Sequence, residues 1–324
     1  LFTPPVFVIF YVARLANLLI ASSLIFLAME ISRSGRWLFA FVALLPMTSY
    51  LLSSTGPDGI IIGSAFLFLA LILRIRENAI AISRTDVLAL GLLAFLIGSE
   101  RIHYVPLVGA LVLLPPAAFT VRWKRSTVFT LIGAVTMIGV SIFVLLARSD
   151  LTAAAPEAHI SPFLQLRTML TAPRHAFASL GWLVSIGGTV QLREFTGVLG
   201  WLDTPLPLWA NGLSGVLLTG IAPFAAAGTL RLRSSERLTL AASWLSSAAV
   251  IFVAAYVLWN PVGANYVLGI QGRYFLPLVP LLMMSVTWRN GVAWKQHAIQ
   301  AGLVLAMIPL GAAIVALLQR YYPA

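Results

Sequence analysis

The feature that most constrains this chain is a succession of apolar stretches, each about the length of a membrane crossing, separated by connections that carry nearly all the charge. A bilayer core about 30 Å thick is crossed by about 20 residues of helix, each rising about 1.5 Å. Such stretches run near 5–29, 36–54, 59–74, 86–99, 103–120, 127–147, 206–228, 238–259, 272–288 and 297–319. The fourth is short, and Pro106, Pro115 and Pro116 make the fifth irregular. Helix is required over strand because a lipid-exposed backbone must satisfy its own hydrogen bonds. The alternation of an outer-membrane barrel is also missing. Composition agrees: of 324 residues 60% are hydrophobic and 10% charged, against about 25% charged in a soluble domain. A cytosolic enzyme, a disordered tail and a coiled coil are excluded. The expected architecture is an all-α, polytopic transmembrane bundle of about ten spans.

The connections test that count. With the connection after the first run placed in the cytoplasm and the sides alternating, the inner ends hold Arg33 and Arg36; Arg74, Arg76 and Arg84; Arg122, Lys124 and Arg125; Arg231, Arg233 and Arg237; Arg289 and Lys295. The outer side holds Arg101, Arg148, Arg167, Arg174, Arg193, Arg273 and Arg320, and Arg14 lies within the first run. Every inner connection carries at least two basic residues, as the positive-inside rule asks. The acids divide as Asp58, Glu100, Asp150, Glu157, Glu194 and Asp203 outside, and Glu30, Glu77, Asp86 and Glu236 inside. The net charge of +11 is dispersed among these connections, with no basic helix or stacking platform for nucleic acid. It suits loops facing an anionic inner leaflet. Without cysteine there is no disulfide scaffold and no thiolate metal site.

The organisation is expected to be an N-terminal bundle over 1–147, an outer loop over 148–205 and a C-terminal bundle over 206–324. The loop is too long for a plain link. Within it, 161–180 sets Phe163, Leu166, Leu170, Phe177 and Leu180 at helical spacing, interrupted by Pro173, with Arg167, Arg174 and His175 opposite. That pattern predicts an interfacial helix on the outer leaflet. The chain opens on Leu1-Phe2-Thr3-Pro4-Pro5, without a basic n-region or cleavage site, and the natural start is expected upstream.

Chemistry is expected at the outer face. Arg14 follows Pro5 by nine residues, about 13 Å of helix, which predicts a mid-membrane arginine facing a wet cavity, an anion or a partner such as Asn17. Asp58 sits in the turn Ser53-Ser54-Thr55-Gly56-Pro57-Asp58-Gly59. It suits either a helix cap or a carboxylate at the outer mouth that binds a cation or orients a hydroxyl. Glu100-Arg101-Ile102-His103-Tyr104 is the densest ionisable cluster. Arg101 and Tyr104, three apart, share a helical face and serve as belt anchors or as donors to a phosphate. His103 lacks a second ligand at zinc spacing. In Gly269-Ile270-Gln271-Gly272-Arg273-Tyr274, the glycines with Gln271 and Arg273 suit an anion cradle, or Arg273 and Tyr274 anchor the boundary. Phosphate-binding arginines beside a carboxylate at the outer edge of a bundle suit a lipid phosphate whose tail stays in the bilayer.

Those turns also carry a resemblance. Ala13-Arg14-Leu15-Ala16-Asn17, Leu45-Pro46-Met47 running to Pro57-Asp58, Arg101-Ile102-His103-Tyr104, Gly200-Trp201-Leu202-Asp203-Thr204-Pro205-Leu206-Pro207 and Gln271-Gly272-Arg273-Tyr274-Phe275-Leu276-Pro277 follow one another along the chain. In these stretches it resembles the bacterial membrane proteins of the domain-of-unknown-function 2142 (DUF2142) family. That family is similar to the GT-C superfamily of polytopic glycosyltransferases, which take a sugar from a polyprenyl-phosphate donor on the outer side of the membrane. The resemblance implies a multi-pass protein of the bacterial inner membrane with its active face outward, making cell-envelope polysaccharide or glycosylated protein. It gives Asp58 the place of the second outer-loop acid, assisting catalysis by holding the acceptor or a divalent cation (Mg or Mn). Arg101, Arg273 and Tyr274 fall by the lipid phosphate, with Arg14, Tyr104, Asp203 and Gln271 as further substrate-binding candidates. Arg101 stands where the family commonly has lysine, which alters the hydrogen-bond geometry. The principal catalytic acid of the superfamily lies in a first large outer loop, and this sequence begins after it. The implied partners are membrane lipid and a polyprenyl-phosphate sugar, with no nucleic acid. The rival expectation is a non-catalytic transporter, flippase or assembly subunit for lipid-linked glycans; a transporter should show two similar halves, and no clear repeat is present.

Overall fold

The computed structural model describes residues 5–153, 160–221, 223, 230–287 and 296–322, with the backbone alone over 147–153. Glu157, Arg289 and Lys295 lie outside the described residues, as do the side chains of Arg148 and Asp150. The fold is almost wholly helical. Five helices are long and apolar enough to cross a membrane: α1 (Val6–Ile31), α4 (Asp58–Glu77), α6 (Arg125–Ala153, apolar over 125–146), α11 (Ser234–Trp259) and α13 (Gln296–Tyr321). Of the remaining runs, 86–99 lies in α5 (Arg84–Glu100) and 206–228 contains α10 (Leu208–Gly220). The run 272–288 becomes a 3-10 turn (Gly272–Leu278) leading into α12 (Val279–Val286).

Proline explains where long runs become short elements. The run 36–54 divides into α2 (Arg36–Ala43) and α3 (Pro46–Leu52). Leu45 between them is extended at φ −62°, ψ 135°, because the ring of Pro46 disfavours a helical residue before it. The run 103–120 overlaps a 3-10 segment over Ile102–Leu113, with Pro106 inside it. Twelve residues of 3-10 helix are far more than the usual three or four, and this segment packs on α11, α4 and α5 rather than standing alone.

α4 is the centre of the bundle. Its most apolar window is 78% buried, against 22–28% for the other four long helices, so those four present most of their surface outward. Small residues set the closest crossings. A Cβ on Gly63 of α4 would lie 2.8 Å from the Leu24 side chain of α1. One on Gly98 of α5 would lie 2.5 Å from the Thr136 carbonyl of α6, and one on Gly139 of α6 2.6 Å from the Phe95 carbonyl of α5. Without a hydrophobic drive between helices in lipid, such backbone approach is how they gain contact.

The two ends of the bundle carry separate charge networks. At one end Glu77 accepts from the backbone N–H of Arg33 and of Ser34, both at 3.0 Å, closing the α1–α2 turn. Asp86 caps α5 together with Ser83 and pairs with Arg74. Glu236 at the start of α11 takes the Arg76 guanidinium at 2.6 Å. At the other end, Arg101 and Arg273 meet Asp58, and Arg320 meets Asp203. Every ion pair among the described residues joins two groups that the alternation of the connections assigns to the same side.

Between α6 and α10 the described chain runs through α7 (Pro162–Thr171), α8 (Arg174–Trp182), a π turn (Leu183–Gly187) and α9 (Gly188–Gly197). A two-stranded hairpin follows, β1 (Val198–Leu199) and β2 (Thr204–Pro205). The break between α7 and α8 falls at Ala172–Pro173. Phe163 and Leu170 are 76% and 79% exposed, while Gln165 on the opposite face of α7 is fully buried. Its amide reaches the Tyr256 carbonyl and accepts from the Gly263 N–H at 2.8 Å. Gln165 thus faces the protein, while Phe163, Leu166 and Leu170 face outward together with Arg167, which the spacing had set on the opposite side.

Candidate functional site

Three connections at one end of the bundle converge. Asp58 is the first residue of α4, and its side chain makes no cap; Pro57 precedes the helix instead. The carboxylate, 13% exposed, lies between two guanidiniums: Arg101 Nη2 at 3.7 Å from Oδ1 and Arg273 Nη1 at 3.9 Å from Oδ2. These separations give attraction without a formed hydrogen bond, which would need about 2.7–3.2 Å. Arg101 is extended at φ −155°, ψ 131° between α5 and the 3-10 segment, and its Nε stands 3.5 Å from Glu100. The Arg101 guanidinium lies over the Tyr274 ring at 4.4 Å, and that of Arg273 at 6.0 Å.

Several expectations are corrected here. Arg101 and Tyr104 do not share a helical face, because the chain is extended at Arg101. The aromatic under Arg101 is Tyr274, while Tyr104 is buried with its ring 4.3 Å from that of His103. Arg14 lies beside the 53–58 turn. Asn17, one turn further along α1, donates to the carbonyls of Ser54 at 2.8 Å and Gly56 at 3.2 Å, and Arg14 Nε donates to Ser53 at 2.7 Å. Both side chains thus close the 53–58 turn at the Asp58 end of the bundle, and the exposed residues Val6–Val12 carry α1 about two turns beyond it.

The glycines of the 269–274 turn are not an open cradle. A Cβ on Gly272 would lie 2.1 Å from the Gln191 carbonyl of α9, and its N–H is already given to Glu194 at 2.9 Å. Gln271 accepts from Arg273 Nε at 2.7 Å and so fixes that guanidinium. Burial pushes the Glu194 carboxyl above the usual carboxylate range, opposed by the Gly272 N–H and by Arg273. The sequence names Glu194 only as one of its acids, because an isolated acid in a helix gives no further signal until its partner turn is known.

Asp203 does not join this cluster. It organises the hairpin, accepting from the Trp201 N–H and the Thr204 hydroxyl at 3.2 Å each, and pairs with Arg320 at 3.1 Å. Those contacts hold the Asp203 carboxyl below its usual range against some desolvation. Tyr50 of α3 lies between the two groups, within electrostatic reach of Arg14 and Arg273 on one side and Asp203 and Tyr321 on the other.

A cavity of about 660 Å³ opens beside the Arg101–Tyr274 stack. Glu100, Arg101, His103 and Tyr274 form its polar wall; Phe143 of α6 with Ile251 and Leu258 of α11 belong to the apolar remainder. A divalent-cation role for Asp58 does not fit, since two guanidiniums surround it and no group of three His, Asp or Glu gathers among the described residues.

Fold and site together define a helical integral membrane protein with a charged cluster at one end of its bundle. The family described as predicted membrane protein (DUF2142) matches residues 1–282, and the chain belongs to that family. No curated protein and no solved structure matches it.

Proposed function

We propose that this protein is a membrane glycosyltransferase of GT-C type that takes a sugar from a polyprenyl-phosphate donor and passes it to an envelope glycan or protein. In this reading the shorter elements complete a ten-pass bundle in the bacterial inner membrane, with the Asp58 end outward. The supporting observation is the Asp58 carboxylate held between Arg101 and Arg273 beside a cavity that is polar on one wall and apolar on the rest. An isoprenoid phosphate has the matching shape, with a small dianionic head and a hydrocarbon tail.

The chemistry follows from charge. Displacement at the anomeric carbon breaks the bond to the phosphate oxygen, forms one to the acceptor oxygen and leaves negative charge on the lipid phosphate. Two guanidiniums fixed beforehand stabilise that charge without reorganising. Asp58 spaces them and Gln271 orients Arg273, so Asp58 acts here as a positioning residue. The acceptor hydroxyl gives its proton to a carboxylate, and the superfamily resemblance gives that role to an acid other than Asp58.

The test is transfer of labelled sugar from a synthetic polyprenyl-phosphate donor in membranes holding the intact protein. Arg273→Gln is expected to lower transfer about 10²-fold, the usual effect of losing one preorganised donor, at unchanged membrane abundance. Asp58→Asn should lower it less. Full transfer by both variants removes the site from the reaction. Absent transfer together with donor translocation across vesicles would instead make the protein a flippase.

A further inference from the structure

The opposite end of the bundle holds a second cavity, of about 430 Å³, that the outer reaction does not use. Arg76 of α4, Arg125 at the start of α6, and Arg233, Ser235 and Glu236 at the start of α11 form its polar wall. Val112, Leu114, Pro115 and Pro116 form the apolar one. The one carboxylate is fully engaged. Glu236 takes both Nη groups of Arg76, at 2.6 and 3.0 Å, and also the Arg233 backbone N–H at 2.7 Å. Arg76 is further tied to the carbonyls of Leu113 and Arg231. That leaves the guanidiniums of Arg125 and Arg233, which meet no carboxylate among the described residues. Arg125 lies over its own neighbour Phe129 at 5.3 Å.

We propose that this cavity is a binding site for the headgroup of an anionic phospholipid. Two uncompensated arginines and a hydroxyl surround a space large enough for a glycerophosphate, at the end of the bundle where the basic connections gather. The apolar wall of Leu114 and the prolines gives an acyl chain a surface to follow. Basic pockets between helices at this level recognise such headgroups. Dispersed positive-inside charge would not need a cavity, nor a Glu236 so placed that it neutralises Arg76 and spares the other two. The lipid would tie α4, α6 and α11 together at the 3-10 segment, far from the Asp58 cluster, so the inference does not depend on the proposed transfer reaction.

The experiment is native mass spectrometry of the full protein released from nanodiscs, with phosphatidylglycerol compared with phosphatidylcholine of the same chains. Retained phosphatidylglycerol is expected, little phosphatidylcholine, and no displacement by millimolar inorganic phosphate. The double variant Arg125→Gln/Arg233→Gln should lose retention at least about tenfold. Arg122→Gln/Lys124→Gln, which removes the same charge from the same end without touching the cavity wall, should keep it. Ser235→Glu adds an anion in the first turn of α11, where the helix dipole favours it, so it folds and still should expel the lipid. Equal retention of both lipids, equal loss in the two double variants, or retention by Ser235→Glu overturns the proposal. Displacement by phosphate overturns the lipid in favour of a free anion.

Discussion

Glu194 shows how one acid ties α9 to the candidate site. Its carboxylate accepts the Gly272 N–H at 2.9 Å, one residue before Arg273, and burial raises its ionisation range. A carboxyl raised on folding favours the native state while protonated. Its contribution is therefore complete below the ordinary carboxylate range and is lost as pH rises through the elevated range of Glu194. Glu194 is thus expected to contribute more to the stability of the folded protein at pH 4 than at pH 7. Glu194→Gln keeps an acceptor for Gly272 and removes the titration. Thermal unfolding in detergent at both pH values should show the difference shrinking in the variant, and an unchanged difference assigns it to other acids. The sequence singled out Asp58, Arg101 and Arg273 because acids and bases at the ends of apolar runs stand out against lipid. It could not disclose that Asp58 lies between the other two, that Tyr274 rather than Tyr104 stacks on Arg101, or that Arg14 sits at the turn. Each of these depends on where one helix end falls beside another.

Apolar length says that a segment is buried in lipid or protein, and only proline and glycine say what shape it takes there. Hence α1, α4, α6, α11 and α13 were legible in outline, while 36–54 and 103–120 were read as single spans although Pro46 and Pro106 shape short elements within them. The break between α7 and α8 was legible because Pro173 interrupts the helical spacing. The α5–α6 crossing was not, since Gly98 and Gly139 are individually unremarkable and matter only as a facing pair. A Cβ at either meets the other helix's backbone, which cannot move aside as a side chain can. Gly98→Leu or Gly139→Leu is thus expected to part the helices and destabilise the protein by about 1–3 kcal/mol or more, with Gly133→Leu, at a position with open space around it, as the harmless control. Thermal melting of the three variants checks this. Equal melting temperatures would mean that the crossing is looser than drawn.

For the whole molecule, sidedness is the property on which the lipid-phosphate reading and the inner anion site both depend. Ion pairing fixes the relative placement: the Asp58, Asp203 and Glu194 networks share one end, and the Glu77, Asp86 and Glu236 networks the other. The excess of basic residues at the second end predicts a cytoplasmic location for it by the positive-inside rule. The chain has no cysteine, so single introduced thiols report position without background. Thr55→Cys in the turn before α4 and Trp201→Cys at the 95% exposed tip of the hairpin should react with a membrane-impermeant maleimide on spheroplasts. Asn78→Cys, exposed just past the end of α4, should react only after permeabilisation. The three thiols share one scaffold and differ only in end, so a reversed pattern would turn the molecule over. The Asp58 cluster would then face nucleotide-bearing cytoplasm, and the arginine cavity at Arg125 and Arg233 would face the outer leaflet. Both proposals would fall together, because each rests on which leaflet supplies the anion.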